Sequence, residues 1–447
     1  MGGLHSTWPV VAAVAGSIIV IVLVLGVYGN FWTEPPDGNG NGNPIPDGNV
    51  TDDGGRSGFS VLPDSDPPVI RDDALRVEKV IEGLDSPTSM AFLGLDDVLV
   101  LEKNSGEVRL ISDGKLQNNP VLTLSINNIN ERGLLGIALD KGSNETVRSV
   151  FLYYTEQDGE PRNRVYKYIW DPDTGLTDES LILDLPGTPG PNHDGGKVTI
   201  GPDGLLYAVI GDLNRNGMLQ NFANGNAPDD TGVIMRVDSS GRAASGSVLS
   251  DLDQNTAESL VRYHAYGIRN SFGIDFDPVT GTLWDTENGP SGYDEINLAS
   301  SGFNSGWETV MGPIGRTNAN ENDLVMFNGA HYSDPEFSWR SSQGLTDIEF
   351  LESSSLGAAY EHNLFVGDFN NGNLYYFTLN SERDSLSFGG SPSSENLADL
   401  VADNSEESGA VTFGSGFGRI TDIETGPDGN LYVLTFDGDI YRIVPGT

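Results

Sequence analysis

Residues Pro191–Asp212 read PNHDGGKVTIGPDGLLYAVIGD. Two short apolar runs, KVTI and LLYAVI, flank a GPDG turn. This is the pattern of a β-hairpin, because Asp-Gly suits a tight turn and the β-branched and aromatic residues suit strands. The phrase returns as DPVTGTLWD at 277–285 and as GPDGNLYVL at 426–434. Asp203 and Asp428 therefore read as turn residues rather than ligands. His193 precedes the first strand of the hairpin, and Asp212 follows the second. In register, the hairpin returns Asp212 to the sheet edge that carries His193. A histidine oriented by a carboxylate is the usual form of a general base near neutral pH. The bland alternative is a loop histidine beside an ordinary hairpin.

Working outward, the chain from about Arg71 shows no long helical periodicity. It shows short apolar or alternating strands between Gly, Asp and Asn turns. They group into six units: Met90–Ile111, Gly133–Trp170, Lys197–Asp238, Phe272–Ala299, Thr346–Leu379 and Ile420–Val444. A spacing of about 60 residues exceeds the 40–45 of a WD40 blade and leaves room for loops. Radial packing of such sheets leaves only short, protected edges. The pattern predicts an all-β fold, a six-bladed β-propeller, with LRVEKVIEG at Leu75–Gly83 closing the ring against the last blade. A pair of packed sheets is the alternative, and six similar units favour the propeller.

The 447 residues carry 65 acidic and 24 basic side chains, a net charge of -41. That balance argues against a nucleic-acid partner, which needs a basic face. It suits an exported protein in a saline medium. There is no cysteine, which excludes disulfides, thiolate metal sites and cysteine nucleophiles. Any metal must be held by oxygen or histidine nitrogen, and calcium is the first candidate. Ser6–Thr33 has no acidic or basic residue, and Pro9–Tyr28 is long and apolar enough to cross a bilayer. Residues 1–33 are expected to be an uncleaved single-pass anchor at the cell membrane, with the remainder on the extracellular side; a cleaved signal is the alternative. Residues 34–70, rich in Pro, Gly, Asn and Asp, read as a disordered linker, and 71–447 as the propeller. Asn49-Val50-Thr51 and Asn144-Glu145-Thr146 match the glycan acceptor pattern.

The ordered set GLLGIALD (Gly133–Asp140), NHDGGKVTIGPDG (Asn192–Gly204), GIRNSFGIDFDPVTGTLWDTENGPSGYDEINL (Gly267–Leu298), FNSGW (Phe303–Trp307) and GRITDIETGPDGNLYVLT (Gly418–Thr435) resembles the soluble quinoprotein glucose and aldose sugar dehydrogenases. This is the glucose/sorbosone dehydrogenase family, and the resemblance spans essentially the whole region after residue 75. It implies a six-bladed propeller with pyrroloquinoline quinone (PQQ) and calcium at the ring's mouth. It implies aldose oxidation at C1 to a lactone, with electrons leaving to an external acceptor. By resemblance, His193 is the base, Asp212 its orienting carboxylate, and Arg269 and Asn270 the pair that touches the quinone. Arg419 would also contact the cofactor. The carbonyls of Gly289 and Pro290 correspond to ligands of the catalytic calcium, and Glu295 with the carbonyl of Ser305 to a second, structural site.

The chain departs from the family pattern at three cofactor positions. Glu131 stands where the family has glutamine, Asn370 where it has a lysine, and Thr421 where it has a second arginine. Against a tricarboxylate such as PQQ, these changes move the pocket by about three charges, each contact being worth about 1.5–3 kcal/mol. His5, His264, His331 and His362 read as structural or exposed, and Asp229-Asp230 and Asp403–Glu407 as solvated loops. Arg269 has the alternative of pairing with an acidic neighbour. Trp284, Trp307 and Trp339 are candidates for stacking on sugar, although aromatic residues more often pack propeller blades. Two rival functions stay open: a propeller that lost the quinone and binds glycans or envelope proteins, and a calcium-dependent lactone or ester hydrolase.

Overall fold

The structure, a computed structural model, describes residues 58–140, 147–249, 257–388 and 397–446. The apolar run Pro9–Tyr28, most of the 34–70 segment and both glycan acceptor patterns lie outside the described residues. Among the described residues, no helix is long and apolar enough to cross a membrane.

Among the described residues the strands form six sheets. Each sheet begins with one of the strands Pro87–Phe92, Leu134–Leu139, Val198–Ile200, Gly273–Phe276, Leu345–Phe350 and Ile420–Thr425. Each of these touches the next, and the last touches the first, closing a ring. The fold is an all-β propeller. Its hydrophobic core lies between neighbouring sheets rather than on the axis. Trp284, Ile296 and Trp339 of the fourth sheet, for example, pack on Ile348, Leu364 and Val366 of the fifth. Trp284 and Trp339 are thus core residues, as aromatic packing predicts. The ring is closed by strand Leu75–Ile81, antiparallel to Ile440–Pro445 with Arg76 opposite Val444. Both ends of the propeller chain therefore share one sheet.

Near the axis, Lys197 Nζ lies 2.6 Å from Asp422 Oδ1 and 3.0 Å from Asp347 Oδ2. Asp422 in turn accepts the Met90 N–H at 2.7 Å, and Asp347 accepts that of Ile423 at 2.8 Å. Burial alone would lower the lysine, but the Asp347, Asp422 and Glu424 carboxylates outweigh it and hold the ammonium well above its ordinary value. This ion cluster joins the first, third, fifth and sixth sheets.

Two expectations are corrected. Val69–Ile70 pairs with Thr412–Ser415, Val69 opposite Ser415, and Phe59 is buried against the first and last sheets. The spacer therefore ends before residue 70, because its last apolar residues cover an otherwise open strand edge. Within Asp403–Glu407, read as a loop, a helix begins at Ser405 and runs to Val411. Asn404 Oδ1 accepts the N–H groups of Glu406 and Glu407 at 3.0 and 3.1 Å. A capping asparagine and first-turn acids are what a short helix needs at its N-terminus.

Candidate active site

The hairpin that opens the third sheet sets the geometry. Val198 lies opposite Ala208, Thr199 opposite Tyr207 and Ile200 opposite Leu206. The ladder continues through Gly196 N to Val209 O at 3.0 Å, which leaves His193 and Asp212 at the same end. Gly195 has φ +66°, and a Cβ there would fall 2.5 Å from Val209 O. A Cβ at Gly211 would fall 2.5 Å from both His193 O and Arg269 O. Glycine at these two positions lets the loop fold back onto the strand end. His193 itself sits at φ +64° and is 6% exposed.

His193 Nδ1 and Asp212 Oδ1 are 2.5 Å apart. The carboxylate accepts from Nδ1–H, so the lone pair of the neutral ring is on Nε2. Asp212 is itself held from three sides. Trp307 Nε1–H donates to Oδ2 at 2.7 Å, Asn214 N–H donates to Oδ1 at 2.8 Å, and the Asp212 N–H donates to Arg269 O at 2.9 Å. The His193 N–H donates to Glu131 Oε2 at 2.5 Å, and Asn270 Nδ2 reaches the same oxygen at 3.2 Å. Arg269 Nη1 donates to Asn288 O at 2.7 Å, and its guanidinium lies 5.2 Å from the centre of the Trp307 ring. The structure thus joins Glu131, His193, Asp212, Arg269 and Asn270 in one hydrogen-bonded network. Trp307, singled out in the sequence as a candidate for stacking on sugar, belongs to it through Asp212 and Arg269 instead.

Two buried atoms of this network have no hydrogen-bond partner, Arg269 Nε and Asn270 Oδ1. A buried unmet donor and acceptor are costly, so their pairing with an added polar ligand would be favourable. The Arg269 Nε–H therefore suits an anionic acceptor such as a quinone carboxylate, whereas Asn270 Oδ1 calls for a donor, such as an N–H or O–H of a ligand. The charge inventory bears on the same question. Lys103 is 1% exposed, and its Nζ donates to Asn130 O at 2.7 Å. Burial lowers its ammonium to about 8, while the carboxylates of Glu131 and Asp194 act to raise it. Lys103 is thus a buried countercharge to Glu131 and Asp194. Arg132 Nε adds a second cation, 3.7 Å from Asp194 Oδ1. Burial pushes Asp194 up to about 6, against the hydrogen bond from Asn163.

The remaining cofactor positions behave differently. Arg419 Nη2 lies 2.5 Å from Asp437 Oδ1, and its guanidinium stacks 4.8 Å from the Phe436 ring centre. The charge expected to face a cofactor carboxylate is already paired with Asp437. Thr421 Oγ1 donates to Pro87 O at 3.0 Å, binding the last sheet to the first. Among the described residues no carboxylate lies within ion-pair distance of the Arg269 side chain; its main-chain N–H donates to Glu287 Oε1 at 2.7 Å, and its charge acts to lower the Glu287 carboxyl.

Asp285 and Glu287 point to one face of strand Leu283–Glu287, with Asn297 and Glu295 directly opposite on Asp294–Leu298. Ser338 on the next strand faces Glu295. All five are buried. Both Asp285 oxygens, Asn297 Nδ2 and Ser338 Oγ lack a hydrogen bond of good geometry, although Asn297 and Ser271 lie near enough to act on the Asp285 carboxyl. Glu295 Oε1 accepts the Gly312 N–H, and Ser305 Oγ donates to Glu287 Oε2 at 2.5 Å. Burial raises Glu287 to about 7. Burial and the neighbouring Glu287 charge push Asp285 and Glu295 well above the usual carboxylate range. Among the described residues no three acidic or histidine side chains converge on one point as a ready cation cage. A hard cation here would depend on carbonyl and amide oxygens as well, and the oxygen-rich donor set fits one. His264, with burial lowering it to about 4, and His331, bonded to Ser300 Oγ at 2.9 Å, are structural, as expected.

The propeller thus carries a buried His–Asp pair beside an arginine, and an acidic sheet face. Residues 84–442 match the glucose/sorbosone dehydrogenase family model, and the chain belongs to that family. It is 26% identical over 380 residues to the aldose sugar dehydrogenase YliI of Escherichia coli K12, covering 83% of this chain and 93% of that one. It is 31% identical over 254 residues to the uncharacterized protein slr1608 of Synechocystis, covering 53% of this chain and 60% of that protein. Among solved structures, the PQQ-bound aldose sugar dehydrogenase of Streptomyces coelicolor superposes with a TM-score of 0.61 at 20% identity. That match covers 85% of this chain and 99% of the other.

Proposed function

We propose that this protein is a PQQ- and calcium-dependent dehydrogenase that oxidises aldoses at C1 to lactones, with the six sheets as six blades of the propeller. The observation that carries the reading is the 2.5 Å His193–Asp212 bond inside a network that leaves Arg269 Nε and Asn270 Oδ1 unmet. Family membership and the PQQ-bound relative support the cofactor.

The chain's own residues divide the work as follows. His193 Nε2 takes the proton of the anomeric hydroxyl, and Asp212 holds the ring in the tautomer that leaves Nε2 free and stabilises the imidazolium that forms. The proton removed from oxygen and the hydride lost from C1 account for the two hydrogens by which lactone differs from aldose. PQQ supplies the two-electron acceptor for that hydride. Arg269 and Asn270 would hold it, with Lys103 offsetting Glu131, and the guanidinium is placed to stabilise negative charge as it develops. Calcium supplies a Lewis acid, and the carbonyls of Gly289 and Pro290 would hold it. Glu295 and the Ser305 carbonyl would hold a structural ion. Arg419 is a weaker cofactor contact, since Asp437 neutralises it. Electrons pass to an external acceptor, and the charge-free run Ser6–Thr33 is read as the membrane tether of an extracellular enzyme.

The test is dye reduction by the protein loaded with PQQ and calcium against a panel of aldoses. Turnover that falls by at least about 10³-fold in His193→Ala, with PQQ still bound, is the expected result. Turnover that survives this change would remove His193 from the chemistry.

A further inference from the structure

Trp307 touches the side chains of both halves of the site, Asp212 of the His193–Asp212 pair and Arg269. Its indole edge donates Nε1–H to Asp212 Oδ2 at 2.7 Å. Its ring face carries the Arg269 guanidinium, 5.2 Å from the centroid. Asp212 Oδ1 is meanwhile engaged with His193 Nδ1 at 2.5 Å. One half of the site removes a proton and the other faces the electron acceptor, and no backbone hydrogen bond alone fixes the angle between an imidazole and a guanidinium. A rigid bicyclic ring does, because it has only two torsions and offers a polar edge and an electron-rich face. The environment of Trp307 is built for this. Its N–H donates to Gly267 O at 3.1 Å and its carbonyl accepts from Asn221 Nδ2 at 2.7 Å. Asn221 is itself locked to Asn304 by two bonds of 3.0 and 2.7 Å.

We propose that Trp307 is a positioning residue: its N–H fixes the Asp212 carboxylate, and so the His193 tautomer, while its ring face fixes Arg269. The reasoning rests on the dehydrogenase reading for its kinetic consequences but not for its geometric ones. The indole N–H also draws charge from Asp212. Without it the carboxylate would hold the imidazolium more firmly, so the base would be less ready at low pH. The edge and the face can be separated by substitution: Trp307→Phe keeps a ring face and loses the donor, whereas Trp307→Leu loses both.

Two measurements decide it. In the cofactor-free protein, NMR follows the hydrogen-bonded Nδ1 proton of His193 and the Nε1 proton of Trp307. The proposal expects slow exchange of the indole proton in the unmodified protein and a displaced His193 Nδ1 resonance in Trp307→Phe. An indole proton that exchanges as fast as an exposed one, or an unmoved His193 signal in a folded Trp307→Phe protein, would overturn it. In the loaded enzyme, Trp307→Phe should lower kcat about 10- to 100-fold with KM within about twofold. It should move the acidic limb of the kcat/KM profile to higher pH, and PQQ affinity should hold. Trp307→Leu should add a loss of PQQ affinity. Equal losses in both variants with an unshifted pH profile would reduce Trp307 to a packing residue. If the unmodified protein turns over no aldose, the dehydrogenase reading fails, and the NMR result alone decides the role of Trp307.

Discussion

At the scale of single residues, the site depends on which charges are met. Glu131 binds the His193 N–H and the Asn270 amide with one oxygen, and Lys103 is the buried cation beside it. Removing Lys103 leaves Glu131 unopposed where an anionic cofactor must approach. Lys103→Met should therefore weaken PQQ binding by about 10- to 100-fold, one charge-assisted contact being worth about 1.5–3 kcal/mol. Glu131→Gln in the same protein should restore most of the loss, and calorimetry on the four proteins closes the cycle. Additive losses would show that the two side chains do not act on each other. His193, Asp212, Arg269 and Asn270 were legible because the hairpin pattern and the GIRN motif fix their places. Lys103 was not, since a lysine at a strand end reads as solvated until its burial is seen. The pairing of Arg419 with Asp437 was equally hidden, because residues 18 apart meet only across a completed turn.

At the scale of elements, the acidic face of the fourth sheet follows from strand alternation. Trp284, Ile296, Phe337 and Trp339 take the apolar face, so Asp285, Glu287, Glu295, Asn297 and Ser338 take the other. Period-2 alternation was readable, but burial of both faces was not, because it comes from the neighbouring sheet. The pH consequence has a definite sign. Glu287 is raised from 4.5 to about 7 by burial, so the folded state binds its proton more tightly than the unfolded chain does. Its contribution is fully present below pH 4.5 and is lost as pH rises through about 7. In calcium-free protein, Tm should fall across that window. Asp285→Asn, which removes a second buried carboxyl that burial and the Glu287 charge hold well above its ordinary range, should flatten the fall and stabilise the protein at pH 8 by roughly 1–3 kcal/mol. Calcium should raise the Tm of the unmodified protein more than that of the variant. An unchanged pH slope in Asp285→Asn, read by calorimetric melting, would show that these carboxylates are not coupled.

At the scale of the molecule, six sheets close on themselves through Leu75–Ile81, which the sequence placed correctly from its alternation and its position before the first unit. The end of the spacer was misplaced because two residues of strand carry too little pattern to be seen. The ring brings sequence-distant segments into one hydrogen-bonded network, and that convergence is what a linear reading cannot supply. On the proposed function, this site accepts a quinone despite Glu131, Asn370 and Thr421. Calorimetric titration of residues 58–447 with PQQ in calcium, followed by aldose-dependent bleaching of the bound quinone, tests it most directly. The account predicts saturable one-to-one binding in the micromolar range or tighter, and reduction by aldose that His193→Ala abolishes. No binding at tens of micromolar PQQ would contradict it and would leave a propeller that binds without oxidising.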